Sequence, residues 1–153
     1  MNDVIEEVEK NAVVMQALGM QKREALRFAI DQMQQSMLAN PNCVGDDPFP
    51  LKHEFADGIY LRRIFIPKGH IIIGKIHKTR HVVFLTVGDV TMLTEEGVRR
   101  VQGPSIMIAE PGTKRVVYAH EDTLWTNVHA TNETDLDKIE AQVIAKTYDE
   151  LEG

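Results

Sequence analysis

Between residues 48 and 131 the apolar pattern never persists long enough to build a helix, and this constrains the fold more than any other feature. Eight short segments rich in Val, Ile, Thr, Phe and Tyr follow one another: Gly58–Ile66, His70–His77, His81–Val87, Val90–Thr94, Val98–Gln102, Ser105–Ala109, Thr113–Ala119 and Thr123–His129. Turn-forming residues separate them, among them Pro67-Lys68-Gly69, Gly88-Asp89, Gly103-Pro104 and Pro111-Gly112. Parallel sheets need long crossovers, usually helical, and these connections are only a few residues long. The segments therefore predict an antiparallel sandwich or closed barrel.

Helical periodicity flanks this zone on both sides. Val4, Ile5, Val8, Ala12, Met15 and Leu18 predict one helix, with Asp3 as its cap and Glu6 completing a capping box. Leu26, Ile30, Met33 and Met37 predict a second, ending at Asn40-Pro41. From Asn132 an acidic stretch carrying Leu136, Ile139, Val143, Tyr148 and Leu151 predicts a C-terminal helix capped by Asn132 or Thr134. The expected organisation is a helical segment and linker over 1–47, a β-barrel over 48–131 and a helix over 132–153.

The segment Gly69–Gly88, GHIIIGKIHKTRHVVFLTVG, carries most of the chemistry. His77 and His81 flank a three-residue turn between consecutive strands, so both rings can point at one atom. The glycine spacing matches the first motif of the cupin barrels: five residues after Gly69 comes Lys75-Ile76-His77, then His81, then Gly88. The segment resembles that motif but departs from it twice, with Lys75 where its first histidine stands and His81 where its acidic residue stands. The resemblance implies a mainly β, cupin-like (RmlC-type) antiparallel barrel or jelly roll, to which the periodicity adds an N-terminal helical segment and a C-terminal helix.

A first-row metal takes three or four donors, commonly neutral imidazoles and carboxylates. Two histidines are in hand, and the third is His129 or His120. In the second cupin motif a ligand follows a Pro-x-Gly turn; Pro111-Gly112 resembles that turn one residue short, so the register falls on Arg115 or Val116. If Glu121-Asp122 is a hairpin turn, Tyr118, Trp125, Asn127 and His129 share one face, and His120 lies about 16 Å from the metal end. That register favours His129. A divalent ion (Zn, Fe, Mn or Ni, not distinguished) on His77, His81 and His129, with Lys75, Tyr118, Trp125 and Asn127 facing a small ligand, is the expected site. Arg80 reads as an exposed rim charge, His53 and His70 as surface or edge residues, and the single Cys43 as incidental.

A net charge of −6 without a basic run excludes an electrostatic grip on nucleic acid or anionic lipid. The acidic N-terminus reads as no secretion signal, and no apolar run reaches the roughly 20 residues needed to span a bilayer. The motifs of nucleophilic hydrolases and phosphate-binding loops are missing. A cytoplasmic or virion location is expected.

A wider resemblance covers about residues 50–140. The runs GKIHKT, HEDT-x-W and HAT-x-E-T-D occur in the order found in small cupin-like proteins encoded in tailed-phage and prophage genomes, a largely uncharacterised family. It implies a phage context and names no substrate. Three readings follow: a metal- and ligand-binding cupin, a virion or assembly component using its helical ends, and a ligand-sequestering counter-defence protein. A homodimer or higher oligomer is expected in each, since an open sheet edge must be covered.

Overall fold

Alternation and turn chemistry produce the elements almost where the sequence puts them. In the computed structural model, which describes residues 2–44 and 49–151, the chain begins with helices α1 (Asn2–Ala17) and α2 (Lys22–Ala39). The strands follow as β1 (Leu51–Ala56), β2 (Ile59–Ile66), β3 (Ile71–Ile73), β4 (Ile76–His77), β5 (His81–Val87), β6 (Asp89–Thr94), β7 (Gly97–Gln102), β8 (Ser105–Ala109), β9 (Val116–Ala119) and β10 (Thr123–Ala130). Helix α3 (Leu136–Val143), the short strand β11 (Ile144–Ala145) and a 3-10 turn at Tyr148–Leu151 complete the chain. The expected boundary at residues 47 and 48 lies outside the described residues.

Two antiparallel sheets face each other, in the orders β1-β2-β10-β5-β8 and β3-β9-β6-β7. The chain passes from one of these sheets to the other at β2–β3, β5–β6, β7–β8, β8–β9 and β9–β10, and it folds as a cupin-like jelly roll. Inward residues such as Ile64, Val83, Leu85, Met92, Val117 and Trp125 form the lumenal core.

Four expectations are corrected here. Glu121-Asp122 is not a hairpin turn: β9 pairs with β3 and β6, while β10 pairs with β2 and β5. The turn carries the chain from one sheet to the other and is held by Asp122 accepting from the Lys68 backbone N–H at 2.9 Å. The expected strand His70–His77 breaks at Gly74-Lys75, where the Gly74 N–H reaches across to the Arg115 carbonyl. Asp3 sits inside the first turn of α1 and is not its cap, although a carboxylate there still meets the positive end of the helix dipole.

The C-terminal helix is the fourth. Its cap is Asp135, which accepts from the Asp137 and Lys138 backbone N–H groups; neither Asn132 nor Thr134 takes that role. The helix stops at Val143, where two consecutive β-branched residues, Val143 and Ile144, favour extended backbone. Ile144 and Ala145 then pair with His77 and Ile76 of β4. One strand escaped the sequence reading altogether. Leu51–Ala56 (LKHEFA) carries three charged or polar residues, yet Leu51, His53 and Phe55 stand opposite Ile64, Arg62 and Tyr60 on β2.

Both N-terminal helices lie on the outer face of the four-stranded sheet. Ile5, Val8, Leu26 and Ile30 pack against Leu93, Val116 and Tyr118, forming a second core. Each fully buried aliphatic side chain contributes roughly 1.5–3 kcal/mol, enough to keep the helices on the barrel. Lys114 adds hydrogen bonds to Asp31 Oδ1 (2.7 Å) and Gln34 Oε1 (2.6 Å) of α2.

Candidate metal centre

Three strands deliver one imidazole each to the same end of the lumen. His77 lies on β4, whose position is set by the pairing with β11 and by the Gly112 N–H donating to the His77 carbonyl at 2.8 Å. The Lys78-Thr79-Arg80 turn reverses the chain, and His81 opens β5 beside Ala109 of β8. His81, Val83 and Leu85 then alternate inward. On β10 the inward residues are Trp125, Asn127 and His129, with His129 opposite Tyr60 and Asn127 opposite Arg62.

The rings meet. Centroids are 4.4 Å apart for His77 and His81, 4.5 Å for His81 and His129, and 5.6 Å for His77 and His129. All three side chains are buried, with residue exposures of 8%, 4% and 3% respectively. His77 Nδ1, His81 Nε2 and His129 Nδ1 are buried without a hydrogen-bond partner. On His81 the other nitrogen, Nδ1, lies 3.1 Å from the Thr79 carbonyl, so it carries the proton and leaves the Nε2 lone pair free.

Burial, reinforced by the neighbouring imidazoles, Arg115 and Arg62, lowers the His77 pKa to about 2. Burial followed by His81 and Arg62 brings His129 down to about 4. His81 is also lowered, chiefly by burial, with the Thr79 carbonyl and the Asn127 side chain opposing. The cluster is therefore neutral at pH 7, the form in which imidazole binds metal.

The donor set fits an ion. One coordinating atom from each ring can be chosen so that all three lie within 4.8 Å of one another. Ligand bonds of about 2.0–2.1 Å place coordinating nitrogens about 3 Å apart, so side-chain movements on the order of 1–2 Å close the triad. Three imidazoles leave coordination positions open, as in sites where the ion also takes a small molecule.

These pKa shifts carry a sign. An unfolded imidazole titrates near pH 6.5. Below that pH the unfolded chain binds protons that the folded cluster refuses, so folding stability is complete above about pH 6.5 and falls as the pH drops. Urea denaturation of chelator-treated protein should show a loss of stability between pH 7.5 and 5, a range above the ordinary carboxylate titrations. His77→Phe should flatten that slope; a wild-type profile level across the interval would contradict the buried neutral cluster.

Beyond the rings the lumen opens into a cavity of about 880 Å³. Trp125 and Asn127 line it, with Trp125 Nε1 donating to Asn127 Oδ1 at 3.1 Å. Lys75 stands at the mouth, half-exposed, and ion-pairs with Glu140 of α3 instead of facing the histidines. Tyr118 is a correction: it points outward into the helix-covered core, because β9 presents Val117 and Ala119 to the lumen. His120 is outside the cluster and hydrogen-bonds Thr91 Oγ1 at 2.7 Å. Arg80 is exposed and pairs with Glu110.

Four further residues line the lumen; Tyr60 and Arg62 have no assignment from the sequence, and His53, expected at a surface or edge, is corrected. His53 is half-buried and bonds the Tyr60 hydroxyl at 2.7 Å; Tyr60 in turn stacks on His129 with ring centroids 6.1 Å apart. Arg62 and Arg115 also line the cavity. Simple alternation along β2 (Tyr60, Arg62, Ile64, Ile66) would have revealed Arg62, and it was masked by the neighbouring Arg63, which faces outward and pairs with Glu54.

No protein-family model matches the chain, and no curated protein matches it. Among the described residues no helix is long and apolar enough to cross a membrane. Solved structures of similar shape include a protein with a double-stranded β-helix domain from Klebsiella pneumoniae subsp. pneumoniae, 14% identical, with 60% of this chain and 79% of that one covered at a TM-score of 0.49. A cupin 2 domain-containing protein from Halorhodospira halophila is 12% identical, with 61% and 75% covered at a TM-score of 0.48. An RmlC-like cupin family protein from Methanocaldococcus jannaschii is 13% identical, with 57% and 86% covered at a TM-score of 0.45.

Proposed function

We propose that this protein binds one divalent first-row metal through His77, His81 and His129 and presents it to a small molecule in the lumen. The observation that carries the reading is the convergence of three buried rings, each with an unpartnered nitrogen. An unsatisfied buried polar atom is costly, on the order of 1–3 kcal/mol each, and coordination removes that cost. An ion held there supplies a Lewis-acid centre with open positions. Trp125 and the apolar lumen supply contact area, Asn127 offers its amide N–H groups to a ligand, and the Lys75–Glu140 pair narrows the entrance. The phage context rests on the sequence resemblance, and a location in the host cytoplasm goes with it.

The test is elemental analysis of the purified protein after stripping with chelator, reloading with zinc and extensive dialysis. About one equivalent retained per chain is expected; metal-free protein with the fold intact would contradict the reading.

Self-association is proposed on a separate observation. The outer face of the five-stranded sheet carries Phe65, Phe84, Ile106 and Ile108, all exposed, with Val82, Leu124 and Val128 between them. Contiguous apolar faces of this kind mark interaction sites, and closed pairing of identical faces is the commonest arrangement. Ile106→Glu is expected to shift the protein to monomer in analytical ultracentrifugation. An unchanged sedimentation profile would remove this face from the interface.

A further inference from the structure

We infer that the molecule held beside the histidine cluster is an organic carboxylate, with Arg115 as the residue that binds its head group. The inference rests on reading the lumen as a metal and ligand site and adds to it the chemical class of the ligand.

Arg115 precedes β9 and turns into the barrel, where it lines the cavity with only 8% of its surface exposed. A buried guanidinium normally sits against a carboxylate. Among the described residues none lies within ion-pair distance of Arg115. The Trp125 ring lies beside it, with the guanidinium carbon 5.7 Å from the centroid. Glu95, the acid that acts on the Arg115 charge, stays beyond ion-pair distance and turns Oε1 to Arg23 at 2.9 Å and Arg27 at 3.7 Å. Burial lowers the Arg115 pKa to about 10, which still leaves it charged at neutral pH.

The histidine cluster contains no acidic member, so it offers no compensating negative charge. A divalent ion there would increase the positive charge further. A low-dielectric cavity with this balance is completed electrostatically by an anion.

The shape narrows the class. A planar guanidinium matches a carboxylate through two parallel hydrogen bonds. The rest of the lining around it is largely apolar, including Ile64, Ile72, Val117 and Trp125. Inorganic phosphate would satisfy the charge and leave that wall without a partner; an acid with an apolar body satisfies both.

Trp125 is the only tryptophan in the chain, so its fluorescence reports occupancy directly. Zinc-reloaded protein is titrated with acetate, hexanoate and phenylacetate, and in parallel with hexanol, 2-phenylethanol and inorganic phosphate. Hexanoate or phenylacetate is expected to shift the Trp125 emission, with its matched alcohol and phosphate each weaker by roughly ten- to a hundredfold, the effect of losing a hydrogen bond to a charged group. Arg115→Gln should abolish the difference between acid and alcohol, and Arg115→Lys should restore part of it. Matched binding of acid and alcohol by the wild type, tighter binding of phosphate, or binding by none of the three acids overturns the assignment, and the wild-type comparison does not depend on whether a variant folds. Zinc is quantified in the same samples: failure of the metal reading registers there, while the carboxylate assignment stands or falls on the acid–alcohol difference.

Discussion

His129→Ala is expected to lower the affinity for zinc by well over a hundredfold while leaving the barrel folded. Loss of an outer hydrogen-bonding partner of a ligand already costs about 10–100-fold in metal affinity, and this change removes a donor outright. His129 is buried at 3% exposure and contacts both other rings, so no neighbouring donor among the described residues replaces it. The readout is competition with a chelating dye. Thermal melts give a second: a ligand at a hundred times its Kd stabilises the folded state by about 2.7 kcal/mol, and that increment should vanish in the variant. His120→Ala serves as the control, because His120 engages Thr91 away from the cluster, and its zinc affinity should be unchanged. Equal losses in both variants would show that the three-ring geometry is not what binds the ion.

Gly88→Ala is expected to destabilise the protein by on the order of 3 kcal/mol or more, from backbone strain and overpacking acting together. Gly88 joins β5 to β6 with φ of +132°, a conformation side chains rarely adopt. An added Cβ would lie 2.4 Å from Thr123 Oγ1, 2.9 Å from Thr123 Cβ and 3.0 Å from Thr123 Cα. Thr123 cannot retreat easily: it is fully buried at the start of β10, and its hydroxyl donates to the Glu121 carbonyl at 2.8 Å. Since β10 carries His129 and β5 carries His81, the damage should reach the histidine cluster. Gly97→Ala separates the two causes. Its φ of +122° is comparable, but nothing lies within 4 Å of the added carbon, so only backbone strain is left. Urea denaturation of both variants checks this, and equal losses would remove the steric part of the account.

How much of this was readable beforehand depends on whether local rules or chain topology decide the outcome. Strand alternation and turn residues are local, and they placed β5 and β8 at their observed limits. The His77–His81 juxtaposition followed from one tight turn. Placing His129 on the lumenal face required only the alternation Trp125, Asn127, His129 along β10, and the structure puts its ring beside His77 and His81 although the hairpin used to argue it does not exist. Tyr118 shows what that wrong pairing cost. Its face depends on which sheet β9 joins, and the strand alternates just as well in either orientation. Arg115 was reached by motif counting but set aside because arginine is not a metal ligand; that it turns inward while Lys114 turns to α2 depends on partners far away in sequence. The strand β11 depends likewise on a distant partner, β4.

The most direct test of the account is an anomalous difference map from crystals of zinc-reloaded protein, collected on either side of the zinc absorption edge. The account predicts one strong peak in the lumen within coordination distance of nitrogens from His77, His81 and His129. A zinc peak elsewhere on the molecule, or a lumen without one at full zinc loading, would contradict it.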